Sequence, residues 1–206
     1  MRFVPYEYQR YCTEYIKTHP IAALFLDMGL GKTVITLSAI KDLMLETFEV
    51  SKVLIIAPLR VARDTWPAEI EKWDHLKGLD ISVIVGDVKT RIAAVHHPAM
   101  IYIVNRENIR WLVEYYEKNG MRWDFSMIVI DELSSFKNYQ SQRFKFLRKV
   151  RPFVKRWVGL TGTPSSNGLM DLWAEIGILD GGERLGKFIR QPASCSSMFL
   201  DRGQRR

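Results

Sequence analysis

The sequence predicts an α/β fold in which a mostly parallel sheet is flanked by helices on both faces. Short apolar runs with little alternation indicate strands that are buried on both faces. These runs are residues 21–26, 53–57, 81–85, 100–104, 127–130 and 157–160. Helical stretches are expected at residues 34–47, 65–76, 88–95, 106–118, 140–150 and 169–179. Strands that alternate with helices are typical of parallel sheets with right-handed crossovers, which bind ligands beyond the carboxyl ends of the strands.

Length and composition indicate an ordinary globular chain. Its 206 residues fit one domain, or one domain with a small appendage. No apolar run approaches the ~20 residues needed to cross a bilayer. The first residues lack an apolar signal region and the two cysteines match neither a metal site nor a disulfide framework, so we expect a cytoplasmic protein without a membrane partner. The net charge of +7 fits either a generally basic surface or attraction to nucleic acid.

The chain begins with an aromatic-rich segment, residues 5–15, in which the aromatic side chains recur at helical spacing. We expect a short helix here, before the first strand. The side chain of Gln9 has a donor and an acceptor, which can match the hydrogen-bonding edge of adenine. A surface glutamine is the alternative, and the glycine turn that follows favours the adenine interpretation.

A glycine turn between the first strand and the next helix predicts a nucleotide phosphate site. Gly29 and Gly31 allow a sharp bend, so that successive backbone N–H groups and the positive end of the helix point at a polyphosphate. Lys32 would reach the β- and γ-phosphates, and the Thr33 hydroxyl would hold Mg²⁺. The general pattern has a glycine where this chain has Leu26, so the pattern is only partly met. A chance turn before an amphipathic helix is the alternative.

Basic residues follow the second and fourth strands. The turn Pro58-Leu59-Arg60 puts Arg60 on the ligand-facing rim, either as a contact to a nucleic-acid phosphate or as a solvated arginine. Asp64 or Thr65 would cap the helix that follows. Residues 104–108 form a similar polar turn, which would line the same face or simply begin a helix capped by Asn105.

The fifth strand ends in two adjacent acids, Asp131 and Glu132. Neighbouring residues on a strand point in opposite directions, so the two carboxylates would have different tasks. Asp131 can hold Mg²⁺ through its water shell, and Glu132 can orient or deprotonate an attacking water. Solvated acids at the start of a loop are the alternative, which the upstream phosphate site makes less favourable.

The sixth strand ends in Thr161-Gly162-Thr163-Pro164, a turn that can contact the acidic pair or can be an ordinary loop. Between these two motifs, residues 137–151 are basic with interleaved aromatic side chains. They predict an amphipathic helix with a solvated cationic face, and contact with nucleic acid is a secondary interpretation.

Together these motifs resemble the first RecA-like domain of a superfamily-two helicase or translocase. They are most similar to the Swi/Snf-like branch of the DEAD/DEAH-type ATPases, particularly short phage or bacterial forms. The matching segments are residues 5–9 (like the Q motif), 27–33 (motif I), 56–60 (motif Ia), 131–138 (motif II) and 160–164 (motif III). The string Met-Gly-Leu-Gly-Lys-Thr is highly specific for this branch.

The resemblance implies a RecA-like P-loop NTPase that uses ATP and Mg²⁺, with Lys32, Asp131 and Glu132 as its catalytic residues. The implied nucleotide-binding residues are Gln9, Met28, Gly29, Leu30, Gly31, Lys32 and Thr33, and the Mg²⁺ ligands are Thr33 and Asp131. Arg60 would lie on a nucleic-acid track, with double-stranded DNA favoured by the family. The implied coupling residues, which would link hydrolysis to the grip on nucleic acid, are Thr161, Gly162 and Thr163.

Two departures from the family affect these expectations. Ser134 stands where motif II usually has a histidine or a final aspartate. Family members also have a second RecA-like domain, which supplies arginine fingers and half of the track. We expect residues 1–182 to form the ATP-binding domain and residues 183–206 an irregular basic tail that is too short for another domain. The chain would then be truncated, or would need a second domain in trans.

The sequence therefore predicts the ATP-binding half of a DNA-dependent ATPase of the helicase or translocase type, weak or inactive as an isolated chain. Two alternatives remain. One is a P-loop phosphotransferase that is not a motor, although no phosphoacceptor pocket is apparent. The other is a nucleic-acid-binding module with a vestigial nucleotide site.

Overall fold

Six parallel strands form one sheet at the centre of the computed structural model, which describes residues 1–162 and 169–183. The strands are β1 (Ile21–Phe25), β2 (Val53–Ala57), β3 (Ile81–Ile84), β4 (Ile101–Asn105), β5 (Met127–Asp131) and β6 (Arg156–Thr161). Their order across the sheet is β1-β6-β5-β2-β4-β3. The α/β class and the parallel sheet predicted from the sequence are confirmed.

Helices connect the strands in the predicted alternation. They are α1 (Glu7–Thr18), α2 (Lys32–Leu45), α3 (Trp66–Lys72), α4 (Val88–His96), α5 (Ile109–Lys118), α6 (Gln142–Val150) and α7 (Leu169–Asp180). Short 3-10 turns precede or follow several of them, and a π turn, Val61–Thr65, leads directly into α3. None of the helices in the described ranges is both long enough and apolar enough to span a membrane.

Both faces of the sheet are covered, which explains why the strands lack alternation. In β2 every residue is buried. Val53 and Ile55 pack into one core with α1, α2 and α3, whereas Leu54 and Ile56 pack into a second core with α4, α5, α6 and α7. Because successive side chains of a strand point to opposite faces, a strand between two helical layers must be apolar at every position.

The residues expected to cap helices after β2 and β4 make no capping bond with their side chains. The chain becomes helical immediately after Pro58, whose carbonyl accepts a bond from the Ala62 N–H at 2.8 Å, so Asp64 and Thr65 lie inside helical turns and cap nothing. After β4, the Asn105 side chain makes no capping bond. Its amide donates to Glu107 instead, at 3.0 Å. In each case a nearer backbone or side-chain partner replaces the cap that local sequence suggested.

The carboxyl ends of parallel strands meet at one edge of the sheet. The residues after β1, β2, β4, β5 and β6 therefore converge there, although they are far apart in the sequence. The glycine turn, the two basic turns, the acidic pair and the Thr161 turn each follow one of these strands, whereas Gln9 lies on α1, before β1. The strand order puts β2 between β4 and β5, and β6 between β1 and β5, which decides which motifs are neighbours.

Candidate functional site

The loop between β1 and α2 has the backbone that a phosphate-binding turn requires. Gly29 has φ +83° and Gly31 has φ +78°, both in the left-handed region. Gly31 is also the N-cap residue, directly before α2. A Cβ atom at Gly31 would lie 2.7 Å from Nε2 of Gln9, so a side chain at this position would strain the backbone and would force the Gln9 amide to move. The helix N-terminus and its unpaired N–H groups lie next to this turn, an arrangement that favours an anion.

The ammonium group of Lys32 lies over the same loop. Its Nζ donates to the carbonyl oxygens of Leu26 at 2.7 Å and Asp27 at 2.9 Å. Both acceptors are neutral, and a charged phosphate oxygen makes a stronger partner for an ammonium group than a carbonyl does. The loop therefore holds a cation whose two partners are neutral carbonyls, and the binding of phosphate by Lys32 stays a prediction.

The structure brings Gln9 from α1 to this loop. Gln9 is 6% exposed. Its Oε1 accepts from the Tyr6 N–H at 3.0 Å, and its Nε2 donates to the carbonyl of Leu30 at 3.4 Å. The amide thus joins the start of α1 to the loop between β1 and α2, residues 26–31, which we call the phosphate loop. The contact of Gln9 with adenine stays a prediction.

Two cavities open on either side of the phosphate loop. The larger, of about 600 Å³, lies toward α1 and is lined by Tyr6, Gln9 and Trp73 among others. The smaller, of about 350 Å³, lies toward β5 and β6. Gly29, Lys32 and Thr33 line both cavities. The loop therefore stands where a nucleotide could place its base on one side and its terminal phosphate on the other. The exposed side chains of Met28 and Leu30 flank this position.

Asp131 is the last residue of β5 and lines the smaller cavity. Its Oδ2 accepts a hydrogen bond from Nε1 of the fully buried Trp66, at 3.0 Å. Burial raises the pKa of Asp131, against the opposing effects of the Trp66 bond and the positive charge of Lys32. A carboxylate that is costly to ionise is stabilised by a nearby cation, which is consistent with a metal-binding task.

The residues present fit a Mg²⁺ ion bound together with a nucleotide. No cluster of three or more His, Cys, Asp or Glu side chains occurs in the part of the chain that the structure describes. Magnesium commonly uses one or two protein oxygens together with substrate phosphates, which matches the pair Thr33 and Asp131. Both line the smaller cavity.

Glu132 leaves the strand in an unusual conformation. Its φ of 62° and ψ of 58° are left-handed, which is uncommon for a residue with a side chain. Asp131 is partly buried whereas Glu132 is exposed, so the two acids do occupy different environments. The Glu132 carboxylate accepts from Nη1 of Arg106, at 2.9 Å.

The end of β6 packs against the phosphate loop. The carbonyl of Thr161 accepts from the Leu26 N–H at 3.1 Å, and a Cβ atom at Gly162 would lie 3.4 Å from the carbonyl oxygen of Leu26. Thr161 and Gly162 line the smaller cavity with Ser134. Thr163, the other predicted coupling residue, lies outside the described residues.

The position of Arg60 does not by itself indicate a ligand. It is exposed in the first helical turn after β2, on the same edge of the sheet as the phosphate loop. Its contact with nucleic acid stays a prediction. Residues 142–150 of the basic segment form the expected helix, α6, which is capped by Ser141, whose Oγ accepts from the Phe144 N–H at 3.4 Å.

Sequence reasoning missed the part played by two residues. Trp66 was treated only as part of a helix, because no spacing pattern links it to Asp131 65 positions away. Arg106 was included in a polar turn, without a link to Glu132. An indole or guanidinium group beside the end of a buried strand is a donor available to that edge, but only the strand order identifies its acceptor.

Comparison with known proteins agrees with this geometry. The sequence pattern of the SNF2-related domain matches residues 11–181. The chain is 40% identical, over 90% of its length, to "Putative protein p41" of Acyrthosiphon pisum secondary endosymbiont phage 1, and spans 41% of that protein. It is 32% identical, over 74% of its length, to the "ISWI chromatin-remodeling complex ATPase ISW2" of Saccharomyces cerevisiae, of which it spans 13%.

A solved structure is similar over most of the chain. It is the "Sulfolobus solfataricus SWI2/SNF2 ATPase core in complex with dsDNA", with a TM-score of 0.72 and 26% identity. The similarity covers 88% of this chain and 37% of that one. The chain thus spans less than half the length of these similar proteins.

Proposed function

The chain belongs to the SNF2-related domain family, and we propose that it is the ATP-binding half of a DNA-dependent ATPase of the helicase or translocase type. One observation carries the proposal. Lys32, Thr33, Asp131, Glu132 and Thr161 come from three separate strand ends and line a single cavity of about 350 Å³. A phosphate loop, a metal-binding acid and a second acid in one cavity supply the groups that ATP hydrolysis needs.

In this proposal the phosphate loop and its neighbours bind ATP. The backbone N–H groups around Gly29 and Gly31 and the start of α2 donate to the phosphates. Lys32 transfers its hydrogen bonds from the loop carbonyls to phosphate oxygens. Gln9 and the larger cavity receive the adenine end. Thr33 and Asp131 hold Mg²⁺, which when bound neutralises charge on the β- and γ-phosphates.

Hydrolysis then requires a positioned water. Glu132 orients that water and accepts its proton while the water oxygen forms a bond to the γ-phosphorus. The bond from that phosphorus to the bridging oxygen breaks, and ADP and inorganic phosphate leave. Lys32 stabilises charge on the phosphoryl oxygens during transfer. The end of β6, which packs on the loop through Thr161 and Gly162, is suited to detect the loss of the γ-phosphate.

Completion by a second RecA-like domain is part of the proposal. The chain spans 41% of its phage relative and 37% of the similar ATPase core. More than half of each of those proteins therefore has no counterpart in this sequence, and their activity can depend on those other regions. An arginine supplied by another domain typically contributes about 10³–10⁵ in rate. We therefore expect slow turnover by the 206-residue chain alone.

Double-stranded DNA is the proposed track. The similar ATPase core was solved with double-stranded DNA, and the net charge of +7 favours a polyanion. Arg60 and Arg106 lie on the edge of the sheet where nucleotide and DNA would have to communicate.

The first experiment measures MgATP binding and ATP hydrolysis by the purified chain, with and without duplex DNA, beside Lys32→Ala. Lys41→Ala is the matched control, because Lys41 lies on the same helix but pairs with Glu46 at 2.9 Å. We expect binding in the wild type and in the control, and its loss in Lys32→Ala. Absence of MgATP binding in the wild type would contradict the proposal.

Assays of phosphate transfer to small molecules and of duplex DNA binding, on the same proteins, separate the alternatives. Transfer of phosphate to a small molecule would favour a phosphotransferase. Duplex DNA binding that neither ATP nor Lys32→Ala affects, without nucleotide binding, would favour a binding module with a vestigial site.

A further inference from the structure

Arg106 and Glu132 form an ion pair across two strands that are not neighbours. Nη1 of Arg106 lies 2.9 Å from Oε2 of Glu132. Arg106 directly follows β4 and Glu132 directly follows β5. Both strands pair with β2, on opposite sides, so the ion pair passes over the carboxyl end of β2. It joins the basic rim of the sheet to the acid proposed to hold the attacking water.

The Arg106 end of this pair is ordered by its neighbours. Nε of Arg106 donates to one carboxylate oxygen of Glu107 at 2.8 Å, and the Asn105 amide donates to the other at 3.0 Å. Asn105 in turn accepts from Asn108 at 2.6 Å. Burial raises the pKa of Glu107, but the bonds from Arg106 and Asn105 outweigh it, so the net pKa lies below its usual value and the carboxylate stays charged. The guanidinium is therefore anchored through Nε while Nη1 reaches Glu132.

The Glu132 end is held by fewer contacts. Its backbone is left-handed, so the side chain departs from the direction that a continued β5 would give it. The Arg106 contact is the one side-chain hydrogen bond of Glu132 within the described residues. The side chain is 55% exposed, and that of Arg106 is 28% exposed. Solvent and a large anion can therefore reach the pair.

Arg106 has two possible anionic partners here besides Glu107, the Glu132 carboxylate and a DNA phosphate, and anions that share one guanidinium group repel each other. A guanidinium group suits a phosphate at least as well as a carboxylate, because its N–H groups match two oxygens at once. A DNA phosphate that reached the rim would compete with Glu132 for Nη1. Glu107 would keep the guanidinium in place during the exchange.

We propose that Arg106 couples DNA binding to catalysis by holding Glu132 when DNA is absent and releasing it to the attacking water when a DNA phosphate takes its place. Arg106 is thus a positioning residue that acts through Glu132. The inference rests on the proposed function, since it needs Glu132 to act on water and DNA to bind this edge. A chain that binds ATP without DNA would then hydrolyse it more slowly than one that binds both.

Binding linkage tests the competition without any turnover. If Glu132 and DNA compete for Arg106, removing the Glu132 charge must raise the affinity for DNA. An ion pair with this exposure changes such an equilibrium by about two- to fivefold. This gain in DNA affinity must depend on Arg106, because the proposal is that Glu132 weakens DNA binding only by pairing with Arg106.

The experiment is a double-mutant cycle on the full chain. Affinity for a fluorescent DNA duplex is measured without nucleotide for the wild type, Glu132→Gln, Arg106→Gln and the double variant. Lys41→Ala and Glu46→Gln form a matched control cycle. Nζ of Lys41 lies 2.9 Å from Oε1 of Glu46, and the side chains are 26% exposed for Lys41 and 56% exposed for Glu46. The control pair lies on and just after the far end of α2, away from the carboxyl edge.

We expect Glu132→Gln to tighten duplex binding by about two- to fivefold, and to have no effect once Arg106 is glutamine. The control cycle should show no coupling. An equal gain in the Arg106→Gln background would overturn the inference, because it would reflect only the loss of a negative charge near DNA. No change on Glu132→Gln in the wild-type background would overturn it as well.

The outcome is distinguishable from failure of the proposed function. Failure to bind MgATP contradicts the proposed function but leaves this cycle readable, since no nucleotide is present. Failure of every variant to bind duplex DNA overturns the inference together with the DNA part of the proposal. DNA binding with additive effects overturns the inference alone.

Discussion

At the scale of single residues, the shape of the phosphate loop depends on two positions that carry no side chain. Gly29 and Gly31 both have positive φ, but their surroundings differ. Nothing lies within 4 Å of a Cβ atom at Gly29, whereas at Gly31 that atom would meet Gln9 at 2.7 Å and Val34 at 3.3 Å. Gly31 is therefore the position where the loop is most tightly specified.

Gly31→Ala should abolish or strongly weaken MgATP binding, because the loop and Gln9 must both move to accept the methyl group. Gly120→Ala is the matched control, since Gly120 also has positive φ, +61°, but open space around it. Each substitution costs on the order of 1 kcal/mol of stability through its backbone conformation. Calorimetric titration with MgATP, beside chemical unfolding, would measure both effects. Retained affinity in Gly31→Ala would contradict this account of the loop.

The burial of Asp131 lowers the stability of the folded chain when this carboxyl is ionised. Burial raises the pKa of this carboxyl in the folded chain above the ordinary value of 3.8. Ionisation therefore destabilises the folded chain relative to the unfolded one, and this cost grows as the pH rises through the folded pKa. Below the unfolded value of 3.8 the carboxyl is protonated in both states and the cost is absent.

Asp131→Asn should accordingly raise the free energy of unfolding at neutral pH, because asparagine stays neutral and its oxygen can still accept from Trp66. The gain should shrink as the pH falls and vanish below about 4. Urea unfolding of both proteins across a pH series would measure it. A difference that does not change with pH would contradict the raised pKa.

At the scale of elements, Gly159 of β6 is the point where the turn after Asp131 and Glu132 packs together with α7. A Cβ atom at Gly159 would lie 2.7 Å from Cδ2 of Leu133 and 3.0 Å from Cδ1 of Leu179. Leu133 directly follows Glu132. The packing of β6 therefore helps to set the position of the segment that carries the proposed water-binding acid.

Gly159→Ala should destabilise the protein by about 1–3 kcal/mol, as expected when a packed core receives an extra methyl group. Gly177→Ala is the control within α7, where a Cβ atom would meet nothing within 4 Å and should be neutral or stabilising by up to about 1 kcal/mol. Thermal and urea unfolding of both variants would test the difference. Equal stability of the two variants would show that Leu133 and Leu179 move aside without cost.

The element boundaries show where local sequence was sufficient. Strand positions followed from continuous apolar runs, and α2 and α4 follow their predicted ranges within two residues. α3 begins within one residue of its predicted start but ends four residues early, and helical turns that were not predicted precede it, because backbone bonding to Pro58 begins before the capping residues that the sequence offered. Capping competes with all other partners within reach, and those partners are known only once the chain is folded.

At the scale of the whole molecule, a net charge of +7 is paired with a ligand edge that carries arginine at two strand ends. Electrostatic binding to DNA releases counterions and is therefore weakened by salt. If the chain neutralises a few phosphates, its affinity for duplex DNA should fall by about tenfold or more between about 50 and about 200 mM monovalent salt.

Fluorescence anisotropy with a labelled duplex over a salt series would measure this dependence. Lys41→Ala should show the same slope as the wild type, because Lys41 lies away from the carboxyl edge. Affinity that is independent of salt would contradict phosphate contacts as the main source of binding.

The sequence by itself determined the fold class, the family resemblance and the residues of the phosphate loop and the acidic pair. Each depends on a short contiguous string or a local period, in which neighbouring residues specify one another. Glycines before Lys32-Thr33 and acids after an apolar run need no distant partner to be recognised.

Only the tertiary structure decided which of these residues touch. The bonds from Trp66 to Asp131 and from Arg106 to Glu132, and the packing of Gln9 on the phosphate loop, all join residues that are distant in sequence. The Trp66 and Arg106 bonds depend on the strand order, which puts β2 between β4 and β5, and the Gln9 contact depends on the packing of α1 beside the loop that precedes α2. Several orders of six parallel strands satisfy the same apolar pattern, because that pattern specifies burial and not neighbours, so these contacts follow from the folded arrangement alone.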